Sequence, residues 1–133
     1  MPAGATTLAP LAPVHRPNGP THAETNLDAT NGNKFVNDGS TLLVVRNTTA
    51  GAIVLDFFAD TPEGNEVKVM SRSIPGSGTA NGIAVLGPFP PERYNDHNTT
   101  EAATTGQVIC KPFSGTTGNL VAAAVPLPRS LMR

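Results

Sequence analysis

The stretches TLLVVRN at residues 41–47 and IVLDFF at residues 53–58 decide the fold, because both predict β-strands. The first is apolar on both faces in its middle, as expected of a central strand covered on two sides. In the second, Ile53, Leu55 and Phe57 share one face, since strand side chains alternate between faces. The short connection between the two stretches contains glycine, and this arrangement predicts a β-hairpin.

Outward from this pair, short apolar runs alternate with turn-forming segments along most of the chain. Residues 66–71 alternate charged and apolar side chains, which predicts a strand with one solvated face. Further strands are predicted at residues 35–36, 83–86, 107–111 and 120–125, and no segment has helical periodicity. The sequence therefore predicts an all-β fold, a single antiparallel β-sandwich or barrel of about seven short strands.

The chain divides into three parts by composition. Residues 1–32 are rich in proline and lack strand or helix periodicity, which indicates an extended N-terminal arm. Residues 33–126 form the predicted sandwich, and residues 127–133 form a C-terminal tail. Two interpretations of the arm stay open: a disordered tail without a role, or an arm that orders along a neighbouring subunit.

Composition excludes several classes of protein. The net charge is −1 and no basic cluster is present, so we expect no direct binding to nucleic acid. Cys110 is the only cysteine, which rules out an intrachain disulfide. The N-terminus has no secretory pattern, and no apolar run approaches the ~20 residues that span a membrane. We therefore expect synthesis in a cytoplasm and no association with a membrane.

Candidate catalytic or metal-binding groups are few. His15 and His22 fall in the predicted arm, and His97 lies on a polar loop without a second ligand beside it. A metal site needs several ligands on a rigid frame, so we predict no metal and no cofactor. Cys110 lies inside an apolar strand, where a buried, unreactive side chain is expected. We therefore predict that the protein is not an enzyme.

Two motifs carry a resemblance to a known group of proteins. NGNKFVNDGST at residues 31–41 leads into the apolar strand that ends at Asn47, and LGPFPP at residues 86–91 is followed by Tyr94 and Asn95. Their order and spacing resemble those of small virion proteins of tailed bacteriophages, over residues 30–125. The resemblance is to capsid decoration (auxiliary head) proteins of the β-sandwich type, encoded beside the major capsid protein in phages of actinobacteria and their relatives.

The motif residues also have a physical interpretation. We expect Asn37 to cap the turn that follows it, with Gly39 supplying a positive φ. Phe35 is expected to plug one end of the sandwich and Gly87 to permit a bend. Phe89 is held on a stiff proline-flanked segment. For both Phe89 and Tyr94 two roles stay open, closing the core or anchoring a partner. The structural motif residues are Phe35, Asn37, Gly39, Asn47, Gly87, Phe89 and Tyr94.

The resemblance implies a virion protein on the capsid exterior that bridges neighbouring major capsid protein subunits, with copies of itself arranged as a homotrimer. Apolar or basic residues of the two ends are the expected contacts with these partners: Leu8, Leu11, Val14, His15, Arg16, Leu127, Leu131 and Met132. Two alternatives stay open, a head–tail connector or tail component, and a carbohydrate- or surface-binding module. For the second alternative, this chain has few of the aromatic residues that stack on sugars.

Overall fold

The computed structural model describes residues 5–8, 24–63, 65–97, 106–113 and 120–127. These residues form nine strands and two short helical turns. The helical turns are a 3-10 turn at Ala80–Gly82 and the helix α1 at Pro91–Tyr94. The strands are β1 (Thr6–Thr7), β2 (Thr25–Asn26), β3 (Asn33–Val36), β4 (Thr41–Asn47), β5 (Ile53–Asp60), β6 (Glu66–Ile74), β7 (Ile83–Leu86), β8 (Gln107–Pro112) and β9 (Leu120–Pro126).

The strands make two sheets with one core between them. A five-stranded sheet has the order β1-β3-β8-β5-β6, and a four-stranded sheet has the order β2-β9-β4-β7. All neighbours are antiparallel except β1 and β3, which are parallel. Alternate residues of both sheets, such as Leu43, Val45, Leu55 and Phe57, are buried in one apolar cluster. The prediction of an all-β sandwich is confirmed, and β3–β9 lie where the seven sequence-predicted strands were placed.

The predicted hairpin between β4 and β5 is wrong. Strand β4 pairs with β7 and β9, whereas β5 pairs with β6 and β8 in the other sheet. Their connection therefore crosses from one sheet to the other. The Asn47 side chain shapes this crossing, because its Oδ1 accepts from the Thr49 N–H at 2.9 Å and its Nδ2 donates to the Gly51 carbonyl at 2.8 Å.

The sequence predicts β6 as a strand with one solvated face, and in the structure its other face is only partly covered. Among the described residues it is an edge strand and pairs only with β5, with a register shift between Phe57 and Phe58. Val67 is 44% exposed, while Val69 and Met70 are half-buried against the core. A bulge re-aims the residues beside it, and an edge strand has one neighbour to cover its side chains. Val67, Val69 and Met70 are therefore only partly buried, whereas Ile74 at the end of β6 is fully buried.

Two strands of the sandwich come from the segment that the sequence indicates as an arm. The Thr6 N–H donates to the Gly32 carbonyl and the Leu8 N–H to the Lys34 carbonyl, both at 3.0 Å, which places β1 beside β3. Strand β2 lies at the edge of the other sheet, beside β9. Residues 5–8 and 24–27 therefore supply one edge strand to each sheet, and these two edges lie on the same side because β6 and β7 line one groove on the other.

The turn from β2 to β3 is organised by Asp28. Its Oδ1 accepts from the backbone N–H groups of Thr30 at 2.8 Å and Asn31 at 3.0 Å. These two donors, Asn31 first, favour the charged carboxylate and lower the pKa of Asp28. Its Oδ2 also accepts from the Thr6 hydroxyl at 3.4 Å, so the same side chain connects the turn to β1.

Candidate functional site

The two motifs that carry the phage resemblance meet in a buried cluster of amides. The Asn37 Nδ2 donates to the Phe89 carbonyl at 2.9 Å and to Oδ1 of Asn95, 58 positions away in sequence, at 2.7 Å. The Asn95 Nδ2 donates in return to the Asn37 carbonyl at 3.0 Å. The Asn37 Oδ1 accepts from the Gly39 N–H at 3.1 Å, where Gly39 has a φ of 96°. The predicted side-chain cap of this turn is confirmed.

Aromatic rings pack directly beside the amides. The Phe89 ring centroid lies 5.5 Å from that of Phe35, 5.4 Å from that of Phe57 and 5.5 Å from that of Tyr94. Phe89 is 2% exposed, so of the two alternatives from the sequence it takes the core role. Tyr94 is half-buried, and its hydroxyl lies 3.6 Å from the Met70 sulfur. Tyr94 therefore forms the margin between the core and the surface.

Gly87 sets the entry of this segment into the core. Its φ is 106°, a conformation that residues with a Cβ rarely adopt. A Cβ at this position would lie 2.9 Å from both the Phe89 ring and the Thr41 carbonyl oxygen. The predicted bend at Gly87 is confirmed, and it brings the Phe89 ring under the end of β7.

An open groove runs beside this cluster, between the edge strands β6 and β7, which belong to opposite sheets. We call it the seam groove, and its volume is about 350 Å³. Its apolar side chains include the buried Leu86 and Phe89, and its charged side chains are Arg72 and Arg93. The described residues that line it are Met70, Arg72, Val85, Leu86, Gly87, Pro88, Phe89, Pro90, Arg93 and Tyr94.

A second cavity of about 280 Å³ lies near the opposite edge of the sandwich, where β1, β3, β4 and β9 meet. Its wall is predominantly apolar and includes Leu8, Phe35 and Val36. Leu8 and Phe35 are both buried in the core, whereas Val36 is exposed. The residues lining this cavity offer one carboxylate, Asp38, whose Oδ1 already accepts from the Ser40 hydroxyl at 2.6 Å.

The predicted partner-binding residues fall mostly outside the described part of the chain. Leu11, Val14, His15, Arg16, Leu131 and Met132 all lie there. Leu8 differs from the prediction, because its side chain is 1% exposed and belongs to the protein's own core. Leu127 is half-buried, and its N–H donates to the Ser40 carbonyl at 3.0 Å. The sequence pattern identified Leu8 as apolar but not the parallel pairing with β3 that buries it.

The candidate chemical groups are placed as follows. Cys110 is fully buried, as predicted, and burial raises the pKa of its thiol to about 12. His97 is exposed, and its neighbour Asp96 is buried with its Oδ1 accepting from the Asp60 N–H at 2.8 Å. Within the described residues, no three His, Cys, Asp or Glu side chains converge on a possible metal site. The described helices are all too short or too polar to cross a membrane.

Sequence reasoning missed Arg72 and Arg93. Arg72 is opposite Leu55 in the β5–β6 register, so it projects from the core-facing side of β6. A signal for Arg72 was present, because strand alternation puts it on the same face as Ile74, which is buried. Arg93 gave no such signal, since its position depends on the short helix α1, which the sequence did not predict.

No protein-family model matches this chain, and neither the curated proteins nor the solved structures include a significant match to it. The described residues define a two-sheet β-sandwich with the seam groove between its edge strands β6 and β7.

Proposed function

We propose that this protein is a non-enzymatic structural component of a phage virion. It binds the outer surface of the capsid and reinforces the shell by bridging neighbouring major capsid protein subunits. One observation carries the proposal. The two motifs that resemble those of decoration proteins contact each other through Phe35, Asn37, Phe89 and Asn95. This contact supports the proposal, because the resemblance treats the two motifs as parts of one protein pattern and the structure packs them as one buried unit.

Reinforcement follows from mass action. A protein that binds only the assembled shell lowers the free energy of that state, so opening the shell must also break the bridging contacts. The sandwich suits this task, because its core is continuous between the two sheets and its strands hold fixed positions for surface side chains. A homotrimer would multiply the contacts that each decoration site makes with the shell.

The proposal is tested with purified full-length protein and capsids emptied of genome. We expect co-sedimentation with the capsids and a rise in the temperature at which they open. We also expect the protein in purified virions at a copy number that matches the lattice of the shell. A copy number that matches a single ring would instead assign it to the head–tail connector, and absence from virions would refute the proposal.

A further inference from the structure

The open side of the sandwich exposes strand β7 as a pairing edge. Among the described residues, β7 pairs only with β4, and β1 and β2 form the edges of the two sheets at the other side. Alternate residues of an edge strand direct backbone N–H and C=O groups away from the sheet, and these groups pair readily with an added strand. On β7, Val85 is 59% exposed and Ile83 is 43% exposed, so apolar side chains stand beside this edge.

The charge of the seam groove is of one sign. Its charged lining residues are Arg72 and Arg93, and no acidic residue is among the described residues that line it. Arg93 Nη2 lies 3.5 Å from the Val69 carbonyl, and its guanidinium lies 5.4 Å from the centre of the Tyr94 ring. Neither arginine forms an ion pair with a described residue. Among the described residues, the groove therefore presents two cations and no carboxylate.

We propose that the seam groove binds an extended acidic segment of a partner protein, which adds to β7 as a further strand of the four-stranded sheet. The side chains of an added strand alternate between the two faces of the sheet. Those on the outer face lie next to Val85 and Ile83 and are apolar. Those on the inner face point toward Arg72 and Arg93 and are carboxylates. The occupant is thus an extended segment in which apolar and acidic residues alternate.

The partner's identity rests on the proposed function, which makes this segment part of a capsid subunit. The dimensions agree with a short segment. Strand β7 has four residues, and a strand rises about 3.3 Å per residue, so four to six residues of an added strand cover its edge. Backbone pairing supplies affinity in strand addition, and the pattern of alternate side chains supplies specificity.

A different role for Arg72 makes a distinct prediction. A charged residue on the inner side of an edge strand protects that edge from pairing with other chains. In that role, removal of Arg72 would leave peptide binding unchanged and would make the protein associate with itself.

The test uses the full-length protein and a fluorescein-labelled eight-residue peptide of alternating valine and glutamate. A peptide of alternating valine and lysine is the control for charge, and the valine–glutamate peptide with alternate backbone nitrogens methylated is the control for strand pairing. Arg72→Gln and Arg93→Gln are compared with Lys68→Gln. Lys68 lies on β6 as well, but its Nζ is 3.7 Å from Asp56 on the outer face of the five-stranded sheet.

We expect only the unmethylated acidic peptide to bind, with amide shifts in residues 83–86 by NMR. Exposed ion pairs contribute modestly, so each arginine substitution should raise the Kd about threefold and the pair about tenfold, while Lys68→Gln leaves it unchanged. Salt should weaken the binding. The inference is overturned if the methylated peptide binds as tightly as the unmethylated one, or if the arginine substitutions leave the Kd unchanged. It is also overturned if Arg72→Gln self-associates and retains its affinity for the peptide.

Empty capsids separate this inference from the proposed function. If capsids bind the wild-type protein but not the double arginine variant, both stand. If capsids bind both proteins equally, the seam inference fails and the proposed function remains. If the acidic peptide binds at β7 but capsids do not bind at all, the proposed function fails and the groove remains a peptide site.

Discussion

At the scale of single residues, Asn37 connects more of the protein than its turn position suggests. Its Nδ2 donates to the Phe89 carbonyl and to the Asn95 side chain, while its Oδ1 caps the local turn at Gly39. The residue is buried, so none of these groups can exchange its partner for water without opening the structure. Asparagine fits because it supplies donor and acceptor together.

Asn37→Asp should therefore destabilise the protein by about 2–4 kcal/mol, since it replaces the donor with an acceptor. The Phe89 carbonyl would lose its partner, and the new carboxylate would face the Asn95 Oδ1. The same substitution at the exposed Asn81 is the control, with an expected change within about 0.5 kcal/mol. Urea unfolding measures both variants. Equal stabilities would show that the amide cluster contributes nothing.

The sequence predicts the cap that Asn37 forms on its own turn, but not its hydrogen bond to Asn95. A cap reaches two residues along the chain, so the letters NDG are sufficient to predict it. The bond from Asn37 to Asn95 depends on how the chain returns after four further strands, which no local pattern encodes. The bend at Gly87 was likewise predictable, whereas the choice between core and interface for Phe89 was not.

At the scale of elements, β2 is held to its sheet by a bridge that passes over another strand. Glu24 precedes β2, Arg46 belongs to β4, and β9 lies between them. The Arg46 Nη2 and Nε donate to the two Glu24 carboxylate oxygens at 2.8 and 3.1 Å. Because Val45 faces the core, Arg46 lies on the outer face of the sheet. The ion pair therefore crosses the outer face of β9.

A double-mutant cycle of Glu24→Gln and Arg46→Gln should give a coupling of about 0.5–1 kcal/mol, reduced at high salt. The bidentate geometry favours the upper end, but the Arg46 side chain is 43% exposed and solvent screens it. Hydrogen exchange localises the effect. The Leu27 amide, which donates to Leu120, should exchange faster, while the Phe113 amide, which donates to Val54, is the unaffected control. Equal acceleration of both amides would contradict a local role.

Sequence patterns predict the strands of this protein but do not determine which strands pair with each other. Alternation correctly gave the buried row of β5, since Leu55 and Phe57 are in the core. The apolar run of β4 predicted cover on both faces, but only the face with Leu43 and Val45 is in the core, and the other face is half-buried. Two strands bury such rows equally well as neighbours in one sheet or facing each other from opposite sheets. The short connection favoured a hairpin, and the Asn47 amide instead shapes a crossing between the sheets.

At the scale of the whole molecule, the two sides of the sandwich are unlike. The N-terminal strands β1 and β2 occupy one edge of each sheet, and β6 and β7 leave the opposite edges without a described neighbour. Leu8 of the N-terminal segment packs into the core on one side, and on the other side the seam groove is open among the described residues. This asymmetry makes the N-terminal segment a determinant of stability, and the seam groove is where we propose that a partner binds.

Leu8→Ala tests the first half of that argument. The Leu8 side chain is fully enclosed in the core, so its truncation should cost about 2–4 kcal/mol, whereas Thr7→Ala, on an exposed neighbour, should cost little. The Cys110 thiol reports the change, because it is buried, has a raised pKa, and becomes reactive to a thiol reagent only when the sandwich opens. At 1.4 kcal/mol per factor of ten, Leu8→Ala should speed labelling by about 100-fold. If Leu8→Ala and Thr7→Ala label equally slowly, strand β1 is not part of the folded body, and the N-terminal segment is then free to contact a neighbouring subunit.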